Sequence, residues 1–206
     1  MKIAIVGGTG SFGRALTERL ASLGYDVVIG SRDPQRAAEL GAVYGAEGKA
    51  NADAVVGVDL VVLATKSSAT IDTARELAAA IGTTPVLCVA SDLQFGPDGV
   101  LPGKLGNSLA EEVAEILSAP VAAGLHTLAA VHLAQRELPD EDALICGNDL
   151  GVKGIALELA DRLVAGRAID AGPLANARAL EGLTAIILNI NKRYRAHAGI
   201  RVTGLE

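Results

Sequence analysis

The chain opens with an apolar run that leads straight into closely spaced glycines, KIAIVGGTGSFG at residues 2–13. Gly8, Gly10 and Gly13 match the pattern G-x-G-x-x-G, which is a weak signal when it stands alone. Here a predicted strand (Lys2–Val6) precedes the glycines and a predicted helix (Ser11–Leu23) follows them. This context is typical of a loop that binds the diphosphate of a dinucleotide.

Each glycine has a physical use in such a loop. The first allows a tight turn, the second lets the diphosphate approach the backbone, and the third lets the helix pack on the strand. Amides near Ser11 and Phe12 should face the diphosphate, because a helix N-terminus attracts anions. The alternative is a glycine-rich turn without a ligand. The predicted cofactor-binding residues of this loop are Gly8, Thr9, Gly10, Ser11, Phe12 and Gly13.

The end of the second predicted strand, Asp26–Ile29, carries a signal for the type of dinucleotide. NAD-binding proteins place a carboxylate there for the ribose hydroxyls, whereas this chain reads Gly30-Ser31-Arg32. Ser31 can donate a hydrogen bond to a 2′-phosphate, and the planar guanidinium of Arg32 can bind the same group and stack on adenine. Arg36 adds positive charge. The sequence therefore predicts NADP(H) rather than NAD(H), the alternative being three solvated loop residues.

Strands and helices alternate along the first 140 residues. Further strands are predicted at Asp59–Ala64, Pro85–Val89 and Val121–Ala123, with helices at Ile71–Ile81 and Leu109–Leu117. This alternation indicates right-handed βαβ units and a Rossmann-type, doubly wound parallel sheet in an α/β fold. The segment Gly96–Gly106 is rich in glycine and proline and is predicted to be a loop.

After about Glu137 the composition of the sequence changes, which predicts a small α/β C-terminal domain. Leu138–Asp142 is polar and contains a proline, so it is a candidate linker. We expect an NADP-binding domain over residues 1–140 and a domain for substrate binding or dimerisation over residues 141–206. The second domain should contain strands at Ala143–Cys146 and Arg167–Asp170, a helix at Leu150–Val164 and a long terminal helix at Leu174–His197.

The terminal helix is apolar on nearly all of its faces. Its apolar residues are Leu180, Leu183, Ile186, Ile187, Leu188 and Ile190. A helix that is apolar all round must be buried, and a small domain could hardly cover it alone. The positive mean hydropathy of +0.37 also points to apolar surface left for self-association. A homodimer is therefore predicted.

Composition argues against several classes of protein. The net charge of −6, the absence of Trp and the presence of only two Phe and three Tyr disfavour a nucleic-acid binder. No apolar run reaches the roughly 18 residues of a membrane helix, and Met1–Val6 does not read as a signal peptide. Cys88 and Cys146 read as free thiols in a reducing compartment, so a cytoplasmic location is expected. Three scattered histidines predict no metal site.

Polar residues follow the predicted strands where a second ligand should lie. In open α/β sheets, ligands bind beyond the carboxyl ends of the strands. Thr65 and Ser91 come at two such ends and are predicted to contact the cofactor. Lys66 and Ser67 are predicted to contact the substrate. Lys66 either binds an acidic group, gives a proton, or is simply a solvated lysine near a helix start.

A third strand end places His126 and Thr127 near the same crevice, and Ala130 follows them. His126 can donate a hydrogen bond to a carbonyl, or it is a satisfied structural histidine. No nucleophile–base constellation is found. The catalytic candidates are therefore His126 and Lys66 alone, and the predicted substrate-binding residues are Lys66, Ser67, His126, Thr127 and Ala130.

Together these motifs resemble those of the NADPH-dependent coenzyme F420 reductases. The matching pieces run in order along nearly the whole chain: the Gly-Gly-Thr-Gly loop from Gly7, Gly30-Ser31-Arg32, Leu125-His126-Thr127, Ile145-Cys146-Gly147, Asp170-Ala-Gly-Pro-Leu, and Leu183-Thr184 with Ile187-Leu188-Asn189. The Asp-Ala-Gly-Pro-Leu element is much more specific than the glycine loop. The cytosolic NADPH domain of membrane metalloreductases looks similar, so the fold family is wider than one substrate.

The resemblance implies a Rossmann domain, a small C-terminal domain, a homodimer, and direct hydride transfer between the nicotinamide C4 of NADP(H) and the deazaflavin C5 of coenzyme F420. Such a transfer needs stacked rings about 3–3.5 Å apart and no acid or base. The residues Lys66-Ser67-Ser68-Ala69 and the segment 91–106 depart from the family pattern where the second substrate should bind. Two rival hypotheses are an NADPH-dependent reductase of a flavin, ferric chelate or small carbonyl compound, and a non-enzymatic NADP sensor.

Overall fold

The computed structural model describes residues 1–103 and 106–205. Its strands are β1 Lys2–Val6, β2 Asp26–Ser31, β3 Glu47–Ala50, β4 Leu60–Leu63, β5 Val86–Cys88, β6 Leu93–Gly96, β7 Gly99–Pro102, β8 Val121–Gly124, β9 Ala143–Gly147 and β10 Ala168–Asp170. Its helices are α1 Ser11–Ser22, α2 Pro34–Tyr44, α3 Asn51–Ala54, α4 Ser67–Ile81, α5 Leu109–Ile116, α6 Ala130–Leu133, α7 Leu150–Asp161 and α8 Ala177–Tyr194, with a 3-10 turn at Leu174–Asn176.

An eight-stranded sheet forms the centre of the molecule, with the strand order β10-β9-β8-β5-β4-β1-β2-β3. Six neighbouring strands of this sheet pair in parallel, namely β8, β5, β4, β1, β2 and β3. This pairing confirms the predicted Rossmann-type, doubly wound sheet. The chain moves from β1 outward to β2 and β3 and then returns to the other side of β1 for β4. This change of direction creates a crevice beyond the carboxyl ends of β1 and β4, where such sheets bind ligands.

Both faces of the sheet are covered by apolar side chains. Along β1, Ala4 and Val6 belong to one buried cluster, whereas Ile3 and Ile5 belong to the other. This alternation follows from the two-residue period of a strand, and burial on both faces explains why β1 and β4 are apolar without interruption.

Strands β9 and β10 extend the same sheet beyond β8. The pairing of β8 with β9 is antiparallel, and β10 pairs in parallel with β9. The sheet is thus continuous across residue 140, and the division into two domains at that point stays a prediction. Within the candidate linker Leu138–Asp142, the side chains of Glu141 and Asp142 are buried. Asp142 accepts hydrogen bonds from the amides of Arg167 and Val202, at 2.9 and 2.8 Å.

The expectation of a loop at Gly96–Gly106 is wrong over its first half. Leu93–Gly96 and Gly99–Pro102 form an antiparallel hairpin, β6–β7, around Pro97 and Asp98. A tertiary contact holds the hairpin, which the local sequence does not indicate. The side chain of Asn189 in α8 hydrogen-bonds to the amide and the carbonyl of Val100, at 2.9 and 2.6 Å. Residues 104 and 105 of the predicted loop lie outside the described residues.

Other differences concern the ends and number of the elements. Strand β3 and the short helix α3 were not predicted, and α4 begins at Ser67 rather than Ile71. The predicted terminal helix Leu174–His197 opens with the 3-10 turn and ends at Tyr194, where Arg195 has a φ of 53°. Within the described ranges, none of the helices has the length and hydropathy needed to cross a membrane.

Candidate functional site

The loop between β1 and α1 packs against the crevice by means of close backbone contacts. Gly7 has a φ of +83°, a conformation that glycine adopts without strain. A Cβ atom at Gly13 would lie 2.5 Å from the carbonyl oxygen of Gly7 and 2.7 Å from the Cα of Gly8. Only glycine therefore lets α1 approach the loop this closely.

The N-terminus of α1 is open to an anion. No side chain caps it, and its first turn contains no acidic residue. At the start of α1, the N–H of Arg14 donates a helical hydrogen bond to the carbonyl of Gly10 at 2.9 Å. The amides of Ser11 and Phe12 come before this hydrogen bond. They consequently have no acceptor within the helix, which is the arrangement that binds phosphates.

A cleft of about 410 Å³, here called the glycine-loop cleft, lies beside this loop. It joins the loop to the ends of β2 and β4. Its lining residues are Gly7, Thr9, Gly10, Ser31, Arg32, Asp33, Arg36, Asn51, Ala64, Thr65, Lys66, Ala69 and Thr73. The predicted cofactor residues Thr9, Gly10, Ser31, Arg32, Arg36 and Thr65 are thus brought together, while Asn51, Ala69 and Thr73 were not predicted.

The end of β2 presents positive charge to the glycine-loop cleft. Arg32 and Arg36 are exposed and form no ion pair with any described residue. The carboxylate of Asp33 is engaged as the N-cap of α2, since it accepts from the amide of Arg36 at 3.1 Å. Ser31 is buried, and its hydroxyl accepts from the amide of Asp33 at 3.1 Å and lies 3.5 Å from the Thr9 hydroxyl. The Ser31 hydrogen can therefore be donated either to Thr9 or to a group in the cleft.

A second opening of about 410 Å³, here called the acceptor groove, adjoins the glycine-loop cleft. Its lining residues are Phe12, Ala64, Thr65, Lys66, Ser67, Ser68, Val89, Ala90, Ser91, Leu93 and Phe95. It shares Ala64, Thr65 and Lys66 with the glycine-loop cleft. Ligands in the two openings would therefore meet at the end of β4.

Polar residues of the acceptor groove are held by a chain of hydrogen bonds that reaches α8. The hydroxyls of Ser91 and Thr184 are 3.2 Å apart, and Thr184 donates to the carbonyl oxygen of His126 at 2.8 Å. On the other side of the groove, the hydroxyls of Thr65 and Thr70 are 2.9 Å apart. Lys66 is exposed and makes no ion pair within the described part of the chain.

His126 lies close to this hydrogen-bonded chain, but its ring is not part of the groove surface. The side chain is 7% exposed, and neither ring nitrogen has a hydrogen-bond partner among the described residues. Burial lowers the pKa of His126 to about 4, against a weaker opposing effect of the Ala90 backbone. Thr127 is buried too, and neither Thr127 nor Ala130 lines the acceptor groove. The substrate roles of all three stay predictions.

A buried carboxylate beneath the groove was not anticipated from the sequence. Glu181 is fully buried and accepts from the amides of Leu109 and Asp92, at 2.8 and 3.3 Å, with the guanidinium of Arg178 at 3.8 Å. Burial raises the pKa of Glu181 to about 7, outweighing these favourable contacts. The signal available for it was a single glutamate between the apolar residues Leu180 and Leu183 of the terminal helix.

Comparison with known proteins agrees with this geometry. Residues 2–90 match the family model "NADP oxidoreductase coenzyme F420-dependent". The chain is 34% identical to the F420-dependent NADP reductase of Methanothermobacter thermautotrophicus, covering all of this chain and 96% of the relative. It is 32% identical to the reductase of the same name from Methanocaldococcus jannaschii, with both chains covered completely.

Solved structures give the same result. The crystal structure of a candidate F420-dependent NADP reductase from Arthrobacter sp. FB24 superposes with a TM-score of 0.88, at 25% identity and with 99% and 100% of the two chains covered. A pyrroline-5-carboxylate reductase from Coxiella burnetii, at 15% identity and a TM-score of 0.60, shares the fold over 82% of this chain and 58% of its own. The resemblance drawn from the motifs thus extends over the whole sequence, and the chain belongs to the family of F420-dependent NADP reductases.

Proposed function

We propose that this protein transfers a hydride between NADP(H) and the deazaflavin coenzyme F420. The observation that carries the proposal is the pair of adjoining openings that share Ala64, Thr65 and Lys66 at the end of β4. Hydride transfer between two coenzymes requires that their rings meet face to face, and adjoining sites provide that meeting point.

The glycine-loop cleft fits NADP(H) on observations of this chain alone. The open N-terminus of α1 suits a diphosphate, and the tight packing at Gly13 brings that terminus close to β1. Arg32, Arg36 and the Ser31 hydroxyl suit a 2′-phosphate, since guanidinium groups bind phosphate through parallel hydrogen bonds. When bound, the dinucleotide supplies or takes up the hydride. The groups that would hold its phosphates are Arg32, Arg36, the Ser31 hydroxyl and the amides at the N-terminus of α1.

The acceptor groove fits a reaction that needs no acid–base group on the protein. Its described lining contains no histidine, cysteine or carboxylate. Hydride transfer moves two electrons and one hydrogen in a single step, and water can supply the accompanying proton. Lys66 places a positive charge where the two openings meet, which suits the anionic tail of F420. The protein's contribution is then to hold the rings and exclude water from between them.

The decisive experiment is an assay of the purified protein with NADPH and oxidised F420, followed by the absorbance changes of both. We expect reduction of F420 with NADPH and the reverse reaction with NADP⁺. The same assay with FMN, FAD and ferric chelates tests the rival acceptors. Turnover with one of these and none with F420 in either direction would contradict the proposal. Binding of NADPH without turnover on any acceptor would favour a sensor.

We further propose that the protein is a cytoplasmic homodimer. Ile186 and Ile190 of α8 are 55% and 39% exposed in the single chain, and they lie one helical turn apart. A second copy is the partner that would cover them. The cytoplasmic location is supported by Cys88 and Cys146, which are both buried free thiols.

A further inference from the structure

Both phenylalanines of the chain line the acceptor groove. The sequence has two Phe and no Trp among its 206 residues, and the two are Phe12 and Phe95. Phe12 lies in the first turn of α1, and Phe95 lies in strand β6. Aromatic rings are scarce in this protein, so their meeting at one groove points to a ligand with an aromatic surface.

The ring of Phe95 is not used to hold the protein together. Its side chain is 75% exposed, whereas its cross-strand partner Val100 is 9% exposed and lies where β7 packs against α8. The hairpin β6–β7 is attached to α8 by the two hydrogen bonds between Asn189 and Val100. The backbone that carries Phe95 is therefore fixed without any contribution from the Phe95 ring.

Only one face of the β6–β7 hairpin contributes side chains to the acceptor groove. Leu93 and Phe95 lie two residues apart, so they point to the same face of β6, and both line the acceptor groove. Gln94 and Leu101 are cross-strand partners on the opposite face, and neither lines the groove. The exposed ring of Phe95 is thus directed to the groove that also contains Lys66 and Ser91.

We propose that Phe95 covers the flat tricyclic ring of the hydride acceptor and that the β6–β7 hairpin positions that ring for transfer. The inference rests on the proposed hydride transfer and adds a residue that selects flat, multi-ring acceptors over small ones. An aromatic side chain suits this role because it stacks on a planar ring and keeps water away from it. Phe95 is then a positioning residue whose effect falls on binding of the acceptor.

The test compares Phe95→Ala and Phe95→Tyr with Leu101→Ala, a substitution of the 60% exposed leucine on the other face of the hairpin. Loss of one stacking contact should raise the KM for F420 roughly two- to tenfold in Phe95→Ala. Phe95→Tyr should restore the wild-type KM. The Kd for NADPH and the thermal midpoint should stay unchanged in all three variants. An unchanged KM in Phe95→Ala, or an equal rise in Leu101→Ala, overturns the inference.

Failure of the inference can be told apart from failure of the proposed function. Wild-type turnover with F420 tests the function, whereas the ratio of KM values between Phe95→Ala and wild type tests the role of Phe95. If the wild type reduces a flavin and not F420, the same ratio measured with the flavin still tests it. Reduction of small, single-ring acceptors alone overturns both. Sedimentation adds a last check, because a smaller particle with an unchanged KM would assign Phe95 to a subunit interface and overturn the proposal.

Discussion

At the scale of single residues, we propose that the positive charge at the end of β2 selects the dinucleotide. Arg32 lines the glycine-loop cleft without a carboxylate partner among the described residues, so its charge is available to a phosphate. We predict that Arg32→Ala weakens NADP(H) binding about ten- to hundredfold, because a hydrogen bond to a charged group contributes about 1.5–3 kcal/mol. Binding of NAD(H), which lacks the 2′-phosphate, should change little.

Titration calorimetry or fluorescence with both dinucleotides measures this difference. Arg162→Ala is the matched control, since it removes the same charge from an exposed position at the end of α7. It should leave both dissociation constants unchanged. Equal losses for NADP(H) and NAD(H) in Arg32→Ala would contradict the assignment of Arg32 to the 2′-phosphate.

Two buried titratable residues near the groove make opposite contributions to the pH dependence of stability. The pKa of Glu181 is raised to about 7, from roughly 4.3 in an unfolded chain, so its contribution falls as pH rises between these values. The pKa of His126 is lowered to about 4, from roughly 6.5 when unfolded. The unfolded chain therefore gains the proton first as pH falls, and the contribution of His126 rises with pH across that interval. In the wild type the two effects oppose each other.

Replacing Glu181 should expose this balance. We predict that the free energy of unfolding of Glu181→Gln, measured relative to that of the wild type, rises by on the order of 3 kcal/mol between about pH 4.5 and 8. The reason is that the wild type must ionise a carboxyl that is fully buried. Chemical denaturation across that pH range gives the difference, and Glu158→Gln, on the exposed face of α7, should show none. A constant difference between Glu181→Gln and wild type would show that Glu181 does not titrate in this range.

Local sequence patterns are enough to predict side-chain roles that depend on near neighbours along the chain. Asp33 caps α2, and Ser108 with Glu111 forms the capping box of α5, as their spacing implies. The burial of His126 and Glu181 depends on how α8 packs against the segments that follow β5 and β8, and no local pattern encodes that contact. The cofactor side of the site was therefore predicted in more detail than the acceptor side.

At the scale of elements, the approach of α1 to β1 depends on Gly13. We predict that Gly13→Ala lowers the free energy of unfolding by about 1–3 kcal/mol, because the new Cβ would lie 2.5 Å from the backbone oxygen of Gly7. The same displacement of α1 should weaken NADPH binding. Gly154→Ala, within α7, is the control, since a Cβ there meets nothing within 4 Å.

The control should change stability in the opposite direction. Alanine in the interior of a helix is favoured over glycine by about 0.5–1 kcal/mol, so Gly154→Ala should stabilise the protein and leave NADPH binding unchanged. Denaturant unfolding and NADPH titration of both variants measure the two effects. A Gly13→Ala variant as stable as the wild type would mean that α1 can move away from the loop at no cost.

Elements with an uninterrupted apolar or helical pattern were predicted well, and those that depend on distant contacts were not. Strands β1, β4 and β5 were predicted to within a residue or two at each end, because burial on both faces leaves a continuous apolar run. The hairpin β6–β7 contains glycine and proline at both strand ends, which normally indicates a loop. Its strand β7 is fixed by Asn189, a residue 89 positions away from Val100.

At the scale of the whole molecule, the order of strands places both openings at one edge of the sheet. The alternating strands and helices of the sequence predicted a crevice beyond the strand ends. In the structure, the change of direction between β1 and β4 creates this crevice. The continuation of the sheet through β9 and β10 was not predicted, because a change of composition resembles a domain boundary whether or not the strands join. The same extension brings α8 beneath the acceptor groove, where Thr184 contacts Ser91 and the His126 backbone.

The exposed apolar face of α8 leads to the last prediction. Ile186 is 55% exposed, whereas Ile187 is 6% exposed and packs within its own chain, contrary to the expectation that the whole helix surface needs a partner. We predict that the wild type sediments as a dimer at micromolar concentration and that Ile186→Glu sediments as a folded monomer, because a buried glutamate without a partner opposes association. Ile187→Glu should instead unfold the chain. Val43→Glu, at a 71% exposed valine on α2, should remain a dimer. A monomeric wild type, or a dimeric Ile186→Glu variant, would show that this face of α8 is not the interface.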